Sequence, residues 1–152
     1  MDELGADAFT EFVRETERPL RVALGAAFGP ERGREAAADA LAYGWEHWGR
    51  IRGMENPAGY LYRVGVNRAK SMSKPVVTLR PVDVVADPWI EPGLPAALES
   101  LSEQQRVVVA LLYGYEWSMS EVASFLEVSK STVQSYAERA MASLRSSMGV
   151  VS

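Results

Sequence analysis

The chain contains no cysteine, a single histidine (His47) and no long apolar run. Without cysteine there are no disulfides and no thiolate chemistry, and a reducing, cytoplasmic setting is expected. One histidine without cysteines cannot build a usual zinc site, so no metal and no cofactor are expected. His47 reads as a surface or boundary residue. No stretch approaches the roughly 20 apolar residues that span a bilayer. The acidic start, Met-Asp-Glu-Leu-Gly-Ala-Asp, lacks the basic-then-apolar pattern of a signal peptide, so no membrane insertion is expected. Carboxylates are plentiful but scattered, and no nucleophile–base–orienter set is visible, which argues against an enzyme.

What is present is mostly helical pattern. The 152 residues are 47% hydrophobic, enough for one domain or two small ones. Between Ser73 and Pro95 helical periodicity disappears and five prolines occur: Pro75, Pro81, Pro88, Pro92 and Pro95. Proline lacks an amide proton and blocks helix interiors, so residues 73–95 read as a semi-extended linker, with an edge strand over Val76–Leu79 as a lesser alternative. The expected fold is all-α: a three-helix bundle over residues 1–72 and a helix-turn-helix domain over 96–152.

In the first part, Phe9, Phe12, Val13, Leu20, Ala23, Leu24 and Ala27 approximate a helical stripe ended by Gly29-Pro30. Pro19 within it predicts a kink, or a start one turn later. An alanine-rich stretch follows from Glu31 to about Gly49 and finishes with Tyr43, Trp45 and Trp48; these tryptophans read as core rather than stacking groups. Asn56-Pro57 pairs a cap residue with a proline pre-set at the helical φ, opening a helix to about Met72.

The second part is punctuated more sharply. Ser102-Glu-Gln-Gln105 and Ser118-Met-Ser-Glu121 are capping boxes, and Gly114 is placed to stop the helix that the first one opens. Residues 119–136 put Val122, Leu126, Val128 and Val133 at the apolar positions of a helix-turn-helix, with Ala123 at the closest approach of its helices and Ser129 capping the second. That second helix carries Val133, Ala137, Ala140 and Leu144 on one face and polar residues elsewhere. Such a unit holds one helix rigid for a DNA major groove.

Charge is divided along the chain. Residues 96–152 hold four basic groups (Arg106, Lys130, Arg139, Arg145) against six acidic ones, a net of -2. Residues 50–74 hold Arg50, Arg52, Arg63, Arg68, Lys70 and Lys74 against Glu55 alone, a net of +5. Duplex affinity comes largely from cations on phosphates, so an acidic helix-turn-helix is a poor free-standing DNA binder.

These residues resemble a known family. Leu101-Ser-Glu-Gln-Gln-Arg-Val-Val, Met119 to Val128 and Ser131-Thr-Val-Gln-Ser-Tyr-Ala-Glu-Arg-Ala-Met-Ala-Ser-Leu-Arg145 follow the region-four pattern of bacterial sigma factors of the sigma-70 superfamily, extracytoplasmic-function type. Ala40-Leu-Ala-Tyr-Gly-Trp45 and Asn56-Pro-Ala-Gly-Tyr-Leu-Tyr-Arg-Val-Gly-Val-Asn-Arg68 look like region two. The resemblance implies a subunit that binds core RNA polymerase and places both parts on promoter DNA, with an anti-sigma protein as a possible further partner. It implies that Lys130, Ser131, Thr132, Gln134, Ser135 and Arg139 meet the major groove of the minus-35 element. It further implies that Arg50, Arg52, Asn56, Arg63, Asn67, Arg68 and Lys70 hold the melted minus-10 element, with Tyr60 and Tyr62 as stacking surface. On the polymerase side it implies Glu35 and Asp39. The chain departs from the pattern at Gln134 and Tyr136, where basic residues are usual, at Glu127, where the turn usually has glycine, and at Ala38, often glutamine. Two other readings stay open: a polymerase-independent helix-turn-helix regulator, and a sigma-like interaction or decoy protein.

Overall fold

The computed structural model describes residues 2–72 and 94–149, and every regular element among them is helical. The linker expected at 73–95, apart from its last two residues, and the strand considered at Val76–Leu79 lie outside the described residues. Helix α1 spans Glu3–Phe28, α2 Pro30–Glu46, α3 Trp48–Ile51 and α4 Pro57–Ser71. Further along the chain come α5 (Leu94–Glu99), α6 (Glu103–Val109), a π-turn (Ala110–Gly114), α7 (Met119–Leu126) and α8 (Lys130–Ser147).

Asp2 opens α1 by accepting the Gly5 amide at 2.6 Å. The helix therefore starts well before Pro19, not one turn after it, and it runs through that proline, which is fully buried. Gly29, at φ 94, ends α1 and lets the chain reverse into Pro30 at the start of α2. Small residues then allow a tight pairing of the two helices. Gly33 packs so closely on the Gly25 backbone that a Cβ would collide with it, and Ala36, Ala37 and Ala40 are buried beside it. Arg32 Nε donates to Ala69 O at 2.8 Å, tying α2 to the carboxyl end of α4. Phe9, Trp48, Ile51 and Leu61 form a separate aromatic-rich cluster, with Phe9 and Trp48 edge to face at 5.3 Å. Trp48 is core as expected, whereas Trp45 is 45% exposed.

The two runs of helices do not form separate cores. The largest cluster combines Leu20, Ala23, Leu24 and Ala27 of α1 with Val107 and Val108 of α6, Leu111 of the π-turn, and Val122 and Phe125 of α7. Tyr62 of α4 is buried in it, with its ring 5.2 Å from that of Phe125. Tyr62 is thus a core residue in this arrangement, not an open stacking surface. A smaller cluster joins Ala97 and Leu101 to Ala140 and Leu144, seating α5 on α8.

Candidate nucleic-acid interface

Both capping boxes form. Ser102 Oγ accepts the Gln105 amide at 3.2 Å while Gln105 Oε1 accepts the Ser102 amide at 3.1 Å. Ser118 and Glu121 repeat the exchange at 3.1 and 3.0 Å. The first box opens α6, which passes into the π-turn and ends at Gly114. The second fixes the start of α7. At its end Glu127 adopts the left-handed conformation (φ 57, ψ 45), its amide bonds Ser124 O at 3.3 Å, and the Val128 amide reaches back to Ala123 O at 3.0 Å. That pair of bonds is the Schellman arrangement, reached here without glycine. Ser129 then caps α8 by accepting the Thr132 amide at 3.1 Å, with the Ser131 and Thr132 hydroxyls at 3.0 and 2.7 Å from its own.

Val122, Ala123 and Val133 are buried between the two helices, as the spacing requires. Leu126 is half-buried and Val128 is 37% exposed, so the apolar template is closed on one side only. The turn directs Val128 toward an open cleft instead, shared with Leu126, Tyr136 and the α4 residues Tyr62, Arg63, Asn67 and Lys70.

On α8 the outward residues are Lys130, Ser131, Gln134 and Arg139, all exposed, while Thr132 and Ser135 are half-buried at its edge. The Gln134 amide donates to Glu138 Oε1 at 3.2 Å. The outer face therefore carries a carboxylate next to Arg139, a feature legible from the i, i+4 spacing.

The basic residues of the first part fall into groups. Arg50 Nη2 donates to the Tyr43 hydroxyl at 2.9 Å, and that hydroxyl lies 3.3 Å from the Tyr60 hydroxyl. The guanidiniums of Arg50 and Arg63 sit 5.7 and 5.8 Å from the Tyr60 ring centroid. The Tyr43 hydroxyl, and after it Arg50, hold the Tyr60 phenol below its ordinary pKa. The sequence marks Tyr43 only as one of the aromatics near the end of α2, because its role depends on α2 and α4 crossing. His47 is half-buried beside it, its ring stacked on Tyr43 at 4.2 Å with Nδ1 3.0 Å from Tyr43 O.

Asn56 does two jobs. Its Oδ1 accepts the Gly59 amide at 3.1 Å as the cap of α4, and its Nδ2 donates to Ser124 O at 2.7 Å. Arg63 forms an ion pair with Glu127, Nη1 to Oε2 at 3.3 Å. Asn67 and Lys70 join Arg63 along the cleft. Arg52 and Arg68 are exposed outside both groups, and Glu35 and Asp39 are exposed one turn apart on α2. Among the described residues no cluster of histidine and carboxylates could hold a metal, and no helix is long and apolar enough to cross a membrane.

Residues 93–144 match the family model described as sigma-70, region 4. No curated protein matches the sequence significantly. Among solved structures, the chain is similar to the sigma factor RpoE from Bartonella quintana, crystallised in complex with the anti-sigma factor NepR. The TM-score is 0.66 at 18% identity, over 95% of this chain and 99% of that one. That likeness is one of fold, and the sequence match is confined to residues 93–144. Residues 93–144 are thus similar in sequence to sigma-70 region 4, and the chain has the all-helical fold of a solved sigma factor.

Proposed function

We propose that the protein is a dissociable specificity subunit of RNA polymerase, of the extracytoplasmic-function type, that directs transcription initiation. The observation carrying this is the capped helix pair α7–α8, which lies within the region 4 match but for the last turn of α8 and presents Lys130, Ser131, Gln134 and Arg139 outward. In this reading residues 96–152 form the region-four unit, 73–95 the linker and 1–72 the region-two unit. Lys130 meets phosphate at the amino end of α8, where the helix dipole favours anions, while Ser131, Thr132, Gln134, Ser135 and Arg139 line the groove of the minus-35 element. Arg139 can fork onto guanine, and Gln134 can pair with adenine once released from Glu138.

The minus-10 element falls to α3, α4 and the loop between them. Tyr60, flanked by Arg50 and Arg63, offers an aromatic face between two cations, the chemistry that holds an unstacked base next to its phosphate. Arg52, Asn56, Asn67, Arg68 and Lys70 complete that grip, and Glu35 and Asp39 on α2 face the polymerase. A net of -2 over residues 96–152 favours this reading over a polymerase-independent regulator, since core polymerase supplies the affinity that the acidic unit lacks. An anti-sigma protein, such as the one that holds the solved relative, is a further proposed partner, and the setting is cytoplasmic. Run-off transcription with purified core polymerase over a promoter library tests the proposal: promoter-dependent transcripts are expected, and their absence with every promoter would refute it.

A further inference from the structure

The turn between α7 and α8 is in contact with two of the residues assigned to the minus-10 element. Glu127 pairs with Arg63, Nη1 to Oε2 at 3.3 Å and Nη2 to Oε1 at 3.5 Å. Asn56 Nδ2 donates to Ser124 O at 2.7 Å and lies 3.5 Å from Glu127 Oε1. The approach is close enough that a Cβ on Gly59 would stand 2.9 Å from Phe125 O.

Glu127 also occupies a backbone conformation that suits glycine. At φ 57 its Cβ crowds the following carbonyl, a cost that glycine does not carry. What glycine would lack is a carboxylate reaching α4. The charge division points the same way, since residues 50–74 carry a net of +5 and the unit that packs on them a net of -2.

We infer that Glu127 is an autoinhibitory latch: its carboxylate occupies Arg63 and Asn56, so that nucleic acid must displace it to use them. The inference rests on the reading of α4 as a DNA-binding face. Closure is asymmetric. It engages Asn56 and Arg63 but leaves Lys130, Ser131, Gln134 and Arg139 of α8 exposed. The closed protein therefore withholds its single-strand grip while its duplex-reading face stays accessible. Both partners are well exposed, at 60% for Arg63 and 37% for Glu127, so the pair biases an equilibrium whose larger part is the shared apolar core.

The test uses the full chain, labelled for energy transfer at the exposed positions Glu46→Cys and Ala142→Cys in a protein with no other cysteine. Glu127→Gln and Glu127→Gly are each compared with Glu99→Gln, which removes the same charge away from α4. Both Glu127 variants are expected to lower the closed fraction. They should also raise affinity for single-stranded oligothymidine by about two- to five-fold over the control, the range open to an exposed ion pair. An unchanged closed fraction, or an equal gain in the control, overturns the latch. Opening without tighter oligothymidine binding overturns the masking. If Arg63→Ala then also leaves that binding unchanged, the fault lies in the reading of α4 rather than in the latch.

Discussion

Arg106 of α6 reaches across to the end of α1, where its Nε donates to Ala26 O at 2.8 Å and its Nη2 to Ala27 O at 3.0 Å. Its Nη1 donates to Leu101 O at 2.6 Å, so one planar guanidinium joins three main-chain acceptors. A helix end leaves its last carbonyls without intrahelical partners, and a cation is also favoured there by the helix dipole. Arg106→Met should leave these acceptors unpaired and lower stability by about 2–3 kcal/mol in urea denaturation. Arg106→Lys should recover less than half of the loss, because an ammonium cannot match the fork. Equal stability of all three proteins would show that the bridge contributes nothing.

Two glycines in neighbouring helices should respond oppositely to alanine. A Cβ on Gly33 would run into the Gly25 backbone, which cannot rotate away, so Gly33→Ala should cost about 1–3 kcal/mol or more. Gly49, in α3, has nothing within 4 Å of its Cβ position. There alanine should gain up to about 1 kcal/mol by stiffening the unfolded chain. Thermal melts of the two variants check the contrast.

Tyr62 gives the fold an alkaline limit. Burial, and after it the Glu103 charge, pushes its phenol well above the ordinary value. The folded state thus keeps a proton that the unfolded chain releases near pH 10, so this contribution is constant below about pH 10 and is lost as pH rises beyond it. The slope is at most about 1.4 kcal/mol per pH unit. Tyr62→Phe should flatten the fall in stability between pH 10 and 11 relative to the parent, and identical slopes would refute this role.

On α8, Arg139→Ala should reduce discrimination at one position of the upstream element by about 1–3 kcal/mol if the guanidinium forks onto a base. A uniform loss across sequences, with a shallower salt dependence, would place Arg139 on a phosphate instead. Transcription from promoters varied singly at each upstream position separates the two results.

Much of this was legible in the sequence, for reasons that are local. Ser102 with Gln105, Ser118 with Glu121, Ser129 with Thr132 and Asn56 with Gly59 are pairs three residues apart, so their hydrogen bonds follow from spacing alone. The buried stripe Val133, Ala137, Ala140, Leu144 follows from the helical period in the same way. Glu127 was legible as an oddity, since it stands where the turn prefers φ > 0, but its partner Arg63 lies 64 positions earlier. Arg106 could be counted as a charge and not as a bridge, because two of its three acceptors are main-chain atoms about 80 residues away. Tyr62 and Val128 were misplaced for the same reason. The burial of Tyr62 and the exposure of Val128 depend on how α4 meets α7 and the turn after it, and no periodicity within a helix encodes that. The minus-35, minus-10 and polymerase assignments come from resemblance; the fold groups Arg50 and Arg63 around Tyr60 and sets Arg63, Asn67 and Lys70 along one cleft.

In the proposed function one chain reads two promoter elements with two different helices. The most direct measurement is photo-crosslinking in the assembled polymerase on an active promoter, with the crosslinker at Gln134 of α8 or at Asn67 of α4. The Gln134 probe is expected to mark the upstream duplex and the Asn67 probe the melted strand near the start site. Crosslinks from both positions to the same short duplex, or to no promoter DNA at all, would contradict it.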